Sequence, residues 1–407
     1  MDLTGRWHLG TSVARSFASI ALDRVADGIG SALPRTPEAL ATPETVQQLL
    51  EEHAPPGRAN LPAVTAVRVP GVDFESSNCR NFLIEVDFAA DFDSAGAPVP
   101  KTLYVKLPCD DVATRLFGNA IGFWPLECTF CERIAPRVPI RVPRVYAVAQ
   151  RGARFVLLLE NLNEIPGIEL FINRDMAAGT GIERTRRALT SFAELHAAFW
   201  GWNAEEREAL LPLAFHTFLA PRRRAMTRAM NAAAIAPAHR AAPELFTAEH
   251  AELCRLAIRK WDAVVAAWYR DPLTLIHGDS HLGNCFEYPT ADGLRIGMLD
   301  FQGAQWCAGM RDVQYFAINS LEPERLAAHE DELIQHYVGE LARYGALLDL
   351  ETAREQYRAF SFQTLMVGVV PLGMGGMTER PETLMTVLRR GVAAVDRLDL
   401  RGWLEAL

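Results

Sequence analysis

Two carboxylates and an amide, carried on two short segments near residue 280, are the residues of this chain best suited to chemistry. The first segment reads Leu275-Ile276-His277-Gly278-Asp279-Ser280-His281-Leu282-Gly283-Asn284, with Asp279 and Asn284 five apart. The second, Met298-Leu299-Asp300-Phe301-Gln302, places Asp300 sixteen residues beyond Asn284. A carboxylate such as Asp279 can accept the proton of an attacking hydroxyl. An amide oxygen such as that of Asn284 can ligate Mg²⁺ without adding charge, and Asp300, at the end of an apolar run, offers the second hard oxygen. Together they form a set suited to phosphoryl transfer. Alone, HGD or LDF is an ordinary loop tripeptide. Their combination, with Asp292-Gly293 marking a hairpin turn between them, is what points to a site.

These segments must be held by elements that the pattern also predicts. VTAVRVPGV, NFLIEVDF and TLYVKLP alternate apolar and polar residues between turn formers, which predicts antiparallel strands. Residues 143–148 and the apolar run 154–159 predict two more, and 113–135 reads as one helix. An amphipathic helix is predicted over 11–30, and Thr42-Pro43-Glu44 opens another that runs to about Glu52. After Arg184 helical periodicity dominates, over 184–200, 247–269, 326–346, 351–368 and 382–398. The expectation is an α+β, bilobal chain: an N-terminal helical extension (1–58), a small antiparallel-sheet N-lobe with one helix (59–162), and a large helical C-lobe (163–407). A nucleotide cleft is expected at the crossing near 160–165.

Composition narrows the partners. With 407 residues, 49% of them hydrophobic and 22% charged, the chain can bury a real core. A net charge of −9 with scattered basic residues lacks the positive stripe that nucleic acid requires. Seven cysteines at irregular spacing, with no apolar leader, argue for reduced thiols rather than a disulfide framework. Cys128 and Cys131 form a C-x-x-C without a second pair at metal-ligand spacing. The longest strongly apolar stretch near the end, 365–374, is far short of the ~18 residues of a membrane span. A soluble, cytoplasmic protein is expected.

The Asp-to-Asn spacing is that of the kinase catalytic loop, with Gly278 where protein kinases have Arg. HGDSHLGN followed by LDFQ resembles the aminoglycoside phosphotransferase and choline kinase superfamily, most closely its ecdysteroid-kinase-like branch. The resemblance spans roughly 40–400 and implies a protein-kinase-like fold, ATP and Mg²⁺ as cofactors, and a small-molecule alcohol as acceptor. Carried over, Asp279 is the catalytic base, Asn284 and Asp300 are the magnesium ligands, and His277 braces the loop. Lys106, in Leu103-Tyr104-Val105-Lys106-Leu107, matches the lysine that holds the α- and β-phosphates. Its partner is Glu127, with Glu132 one to two turns on as the alternative.

Where kinases carry a glycine-rich loop, this chain reads Gly71-Val72-Asp73-Phe74-Glu75-Ser76-Ser77-Asn78. Ser76, Ser77 and Asn78 are either donors to phosphate oxygens or an ordinary polar turn. Phe155 to Leu162 resembles the hinge, where adenine would bond to backbone around Glu160 and Leu162. Asp312 either supports the catalytic loop, as the family implies, or simply caps a helix. His196, in Ala193-Glu194-Leu195-His196-Ala197, reads as a packing residue.

The function expected is transfer of the γ-phosphate of ATP to a hydroxyl. No A-P-E-type motif lies between Asp300 and Asp312, which disfavours a protein kinase. The rivals are a nucleotide-binding pseudokinase scaffold and an aminoglycoside- or choline-type kinase. Segments 201–245, 305–319 and 360–377 are candidate linings for the acceptor. Phe362, Leu365, Met366, Val367, Val369, Leu372, Met374 and Met377 in the last suggest an apolar acceptor, although such residues are usually core. Nothing in the sequence speaks to oligomeric state.

Overall fold

A computed structural model describes residues 3–28, 33–74, 79–375 and 381–407. The chain divides into two compact units, an N-terminal one of Gly10–Arg137 and Val142–Pro166 and a C-terminal one of Met1–Leu9, Val138–Arg141 and Gly167–Leu407.

In the N-terminal unit the alternating segments pair as expected. Strands β1 (Val64–Arg68), β2 (Asp73–Phe74), β3 (Cys79–Phe88), β4 (Thr102–Pro108), β5 (Val145–Arg151) and β6 (Arg154–Glu160) form one sheet in the order β1-β3-β4-β6-β5, with β2 also paired to β3. All its pairings are antiparallel. Side chains alternate between faces with period two. Phe82, Ile84 and Val86 of β3 and Leu103, Val105 and Leu107 of β4 are buried in one core with Leu40, Val46, Leu49 and Leu50. The last three belong to helix Pro43–Glu52, whose first turn is capped by Thr42 accepting from the Thr45 N–H. By the same alternation Tyr104 and Lys106 point to the other face. The helix expected over 113–135 is broken at Gly122: Val112–Ile121 ends there with φ 75°, and Phe123–Thr129 begins anew. Only glycine adopts that left-handed backbone without a Cβ penalty.

The C-terminal unit is mainly helical. Its core gathers Phe218, Phe246, Trp261, Trp268, Phe360 and Phe362, with small residues of helices Pro221–Ala241 and Ala248–Arg259 filling the spaces. Two short sheets interrupt the helices. β7 (Glu169–Leu170), β9 (Cys285–Thr290) and β10 (Gly293–Met298) form one sheet, and β8 (Thr274–Ile276) pairs antiparallel with β11 (Gln305–Cys307) in a second. β8 delivers the chain into the Asp279 segment, so what fixes β11 also fixes that segment. Trp306 of β11 is held at both ends: its N–H donates to His216 Nε2 (2.8 Å) and its indole N–H to the Leu211 carbonyl (3.0 Å).

That first bond needs an unprotonated His216. Burial, then the charges of Arg207 and Arg223, lower its pKa to about 3. The unfolded chain, with an ordinary histidine near 6.5, takes up the proton first, so this contribution to stability is lost as pH falls below about 6.5. Unfolding free energy is expected to drop by about 2 kcal/mol between pH 6.5 and 5 through this group alone. His216→Gln, which keeps an acceptor without a titrating ring, should flatten that slope in denaturant titrations. Identical slopes in both proteins would refute the assignment.

Candidate active site

The segment after β8 folds around one carboxylate. Asp312 is fully buried in helix Met310–Ser320. It is not the helix cap: Gly309 occupies that position, and the Asp312 oxygens turn to the loop. Oδ2 accepts from the His277 N–H (2.6 Å) and Oδ1 from the Gly278 N–H (2.9 Å). His196 Nε2 lies 3.2 Å from Oδ2, and its Nδ1 lies 2.8 Å from the Tyr337 hydroxyl. An ionised carboxylate only accepts, so His196 Nε2 carries the hydrogen. Burial alone would raise Asp312, but the His196 hydrogen bond and the charges of His196 and His277 hold it below the usual carboxylate value. Ser280 adds a bond from its hydroxyl to the Asp312 carbonyl (3.1 Å).

His277 ties this loop to the second segment. Its Nε2 meets the Leu299 carbonyl at 2.9 Å, and its ring lies 4.3 Å from that of Phe301, centroid to centroid. Gly278, at φ 82°, passes so close to Gly303 that a Cβ there would sit 1.9 Å from the Gly303 carbonyl oxygen. The arginine usual in protein kinases has no room at this position.

Asp279, Asn284 and Asp300 are brought together. Asn284 Nδ2 donates to the Asp279 carbonyl (2.9 Å) and to Asp279 Oδ2 (3.2 Å). The amide nitrogen is therefore occupied and its oxygen is turned away from Asp279. β9 and β10 pair with Cys285 opposite Met298, and the Leu299 N–H donates to the Asn284 carbonyl (3.0 Å). Asp300 thus follows directly on the strand partner of Asn284. Its φ of 64° lies in the left-handed region, which Asp tolerates better than most residues. Gln302 Nε2 donates to Asp300 Oδ1. The Asp279 side chain is 47% exposed, open to a substrate despite its fixed backbone. Among the described residues no group of three or more His, Cys, Asp or Glu is placed to hold a metal. An amide oxygen and a carboxylate fit Mg²⁺, which keeps waters and shares phosphate oxygens rather than filling a protein cage.

In the N-terminal unit Lys106 Nζ forms an ion pair with Glu127 Oε1, the two side chains 5% and 4% exposed. Glu132, the alternative partner, is exposed. Glu160 closes its own N–H on the Arg144 carbonyl (2.8 Å), so a ligand bonding to the main chain here would use Leu162 rather than the Glu160 N–H. Ser76, Ser77 and Asn78 lie outside the described residues. Among the described residues no cysteine is in a disulfide, and Cys128 is pushed well above the usual thiol range by burial and then by Cys131 and Glu127. Of the residues proposed to line an acceptor, Phe362, Leu365, Met366 and Val369 pack into the core. The expectation of an apolar lining fails for these four. Met374 is exposed, and Met377 lies outside the described residues.

Sequence reading missed Arg311 and Tyr315. Arg311 Nη2 donates to the Gly278 carbonyl (3.3 Å), and the Tyr315 hydroxyl donates to Asp279 Oδ1 (3.2 Å). Tyr315 stands three residues after Asp312 and four after Arg311, and that spacing on one helix was the available signal.

The chain has a kinase-like fold. Residues 95–350 match the ecdysteroid kinase-like family, and the chain belongs to it. Among curated proteins no sequence matches. Similar solved structures include a Plasmodium vivax ethanolamine kinase (12% identity, TM-score 0.46, covering 80% of this chain and 82% of that one). The choline kinase of Cryptosporidium parvum is similar at 11% identity, with a TM-score of 0.47 and coverage of 83% and 93%. A type I macrolide 2'-phosphotransferase is similar at 14% identity, with a TM-score of 0.40 and coverage of 86% and 96%.

Asp312→Ala should cost about 3–5 kcal/mol, because the change leaves two buried loop N–H groups and a buried histidine without their acceptor. Denaturant unfolding measures it, and a loss under 1 kcal/mol would remove Asp312 from its central place.

Proposed function

We propose that this chain is an ATP-dependent phosphotransferase that moves the γ-phosphate to a hydroxyl of a small molecule. The observation that carries this reading is the coupled pair Asp279–Asn284, one a half-exposed carboxylate, the other an amide whose nitrogen is bonded to it. Membership of the ecdysteroid kinase-like family supports it. In the N-terminal unit Lys106, set by Glu127, binds α- and β-phosphate oxygens, and main chain at Leu162 bonds to adenine. Ser76, Ser77 and Asn78 are proposed as further phosphate donors.

In the C-terminal unit Asn284 Oδ1 and the Asp300 carboxylate would hold Mg²⁺. When bound, the metal offsets phosphate charge. Asp279 orients the acceptor hydroxyl and takes its proton as the new oxygen–phosphorus bond forms. His277 and Asp312 keep that carboxylate's backbone still, which favours an in-line approach. The reading puts the protein in the cytoplasm, where ATP and magnesium are available. The apolar acceptor suggested by 360–377 loses the support of the four core residues and rests on the family and on the remaining residues of that segment.

The experiment is ATP consumption with Mg²⁺ over a panel of aminoglycosides, choline-type amino alcohols and hydrophobic alcohols, for wild type and Asp279→Asn. Turnover of at least one class is expected, with the variant ~10²–10⁴-fold slower and its Mg-ATP melting shift retained. Nucleotide binding without turnover of any alcohol would favour a pseudokinase scaffold instead.

A further inference from the structure

The Asp279 carboxylate is 47% exposed, and a side chain that open would ordinarily rotate. Here both oxygens are engaged. Oδ2 accepts from Asn284, and Oδ1 accepts from the Tyr315 hydroxyl at 3.2 Å. Tyr315 itself is 3% exposed. Its ring lies under the Arg311 guanidinium, 4.2 Å from guanidinium carbon to ring centroid, and beside the His281 ring at 6.4 Å. Arg311 is in turn fixed by Gln363 Oε1 (2.7 Å) and the Gly278 carbonyl (3.3 Å). Asp312 and Tyr315 stand three apart on one buried helix, so they are neighbours on its surface. One of them holds the loop backbone and the other reaches the tip of the loop's carboxylate.

We propose that Tyr315 is a positioning residue: its hydroxyl fixes the plane of the Asp279 carboxylate toward the acceptor. The inference rests on the phosphotransferase reading above. The phenol is a lasting donor, because burial and then the charge of Asp279 raise it well above its ordinary value. It takes no proton in the reaction. The acceptor's proton goes to the Asp279 carboxylate, while Tyr315 keeps its own hydrogen on Oδ1. Effective in-line transfer depends on holding base and nucleophile in one geometry, and a misplacement of about 1 Å can cost ~10²-fold.

Tyr315→Phe tests this, since the ring and its packing remain and only the oxygen is removed. With the acceptor found in the panel, kcat should fall about tenfold, with KM for ATP and acceptor within about twofold and the Mg-ATP melting shift unchanged; tenfold is ~1.4 kcal/mol, the order of one charge-assisted hydrogen bond. In an Asp279→Asn background the same change should cost nothing further. An active wild type with Tyr315→Phe at full kcat would overturn this inference alone, as would a tenfold loss that persists in the Asp279→Asn background. A wild type that transfers phosphate to no alcohol would overturn the phosphotransferase reading, and this inference with it.

Discussion

A carboxylate removed wholly from water is tolerated only when hydrogen bonds fill its oxygens. Asp312 meets that condition through two consecutive backbone N–H groups of the loop and the ring of a buried histidine. The dependence runs both ways. The loop amides have no sheet or helix to pair with at that point, and the carboxylate draws on them for two of its hydrogen bonds. A helix buried on every side therefore fixes the backbone of a segment whose side chains remain accessible. Everything proposed for Asp279 and Asn284 presumes this rigidity.

The buried Lys106–Glu127 pair raises a related question of cost. Taking two charges out of water is expensive, and an apolar pair of similar volume would often be neutral or better for stability. A buried lysine beside a glutamate on the face opposite the hydrophobic core is thus poorly explained by folding alone. The proposed role of holding an ammonium in one place for phosphate oxygens would give a reason for its presence. The same logic distinguishes Glu127 from Glu132, since only the former is removed from solvent.

Much of this was legible in the sequence, and for physical reasons. Period-two segments between turn formers gave the strands of the N-terminal sheet, because one face of each lies on a core. The Asp279–Asn284 and Asp300 segments were readable because hairpin pairing turns their sequence spacing into proximity. Helix Met310–Ser320 was signalled only by Asp312 as a helix-start residue and not by periodicity: all eleven residues are buried, so it shows no amphipathic stripe. Helix Pro221–Ala241 was hidden by Pro237 and by arginines and alanines without clear segregation. The break at Gly122 needed the left-handed φ that sequence alone does not disclose. Phe362, Leu365, Met366 and Val369 misled because a methionine- and aliphatic-rich helix face looks the same whether it meets a ligand or packs against tryptophans.

Asn284 and Asp300 are proposed to present oxygens to a metal while the Asn284 nitrogen stays on Asp279. The direct measurement is a crystal structure of the full chain with Mg²⁺ and a non-hydrolysable ATP analogue. The expected result is Mg²⁺ at ~2.0–2.1 Å from Asn284 Oδ1 and an Asp300 oxygen, with Asn284 Nδ2 still within hydrogen-bond distance of Asp279. A nucleotide bound with its metal away from both residues, or with the Asn284 nitrogen turned off Asp279, would contradict it.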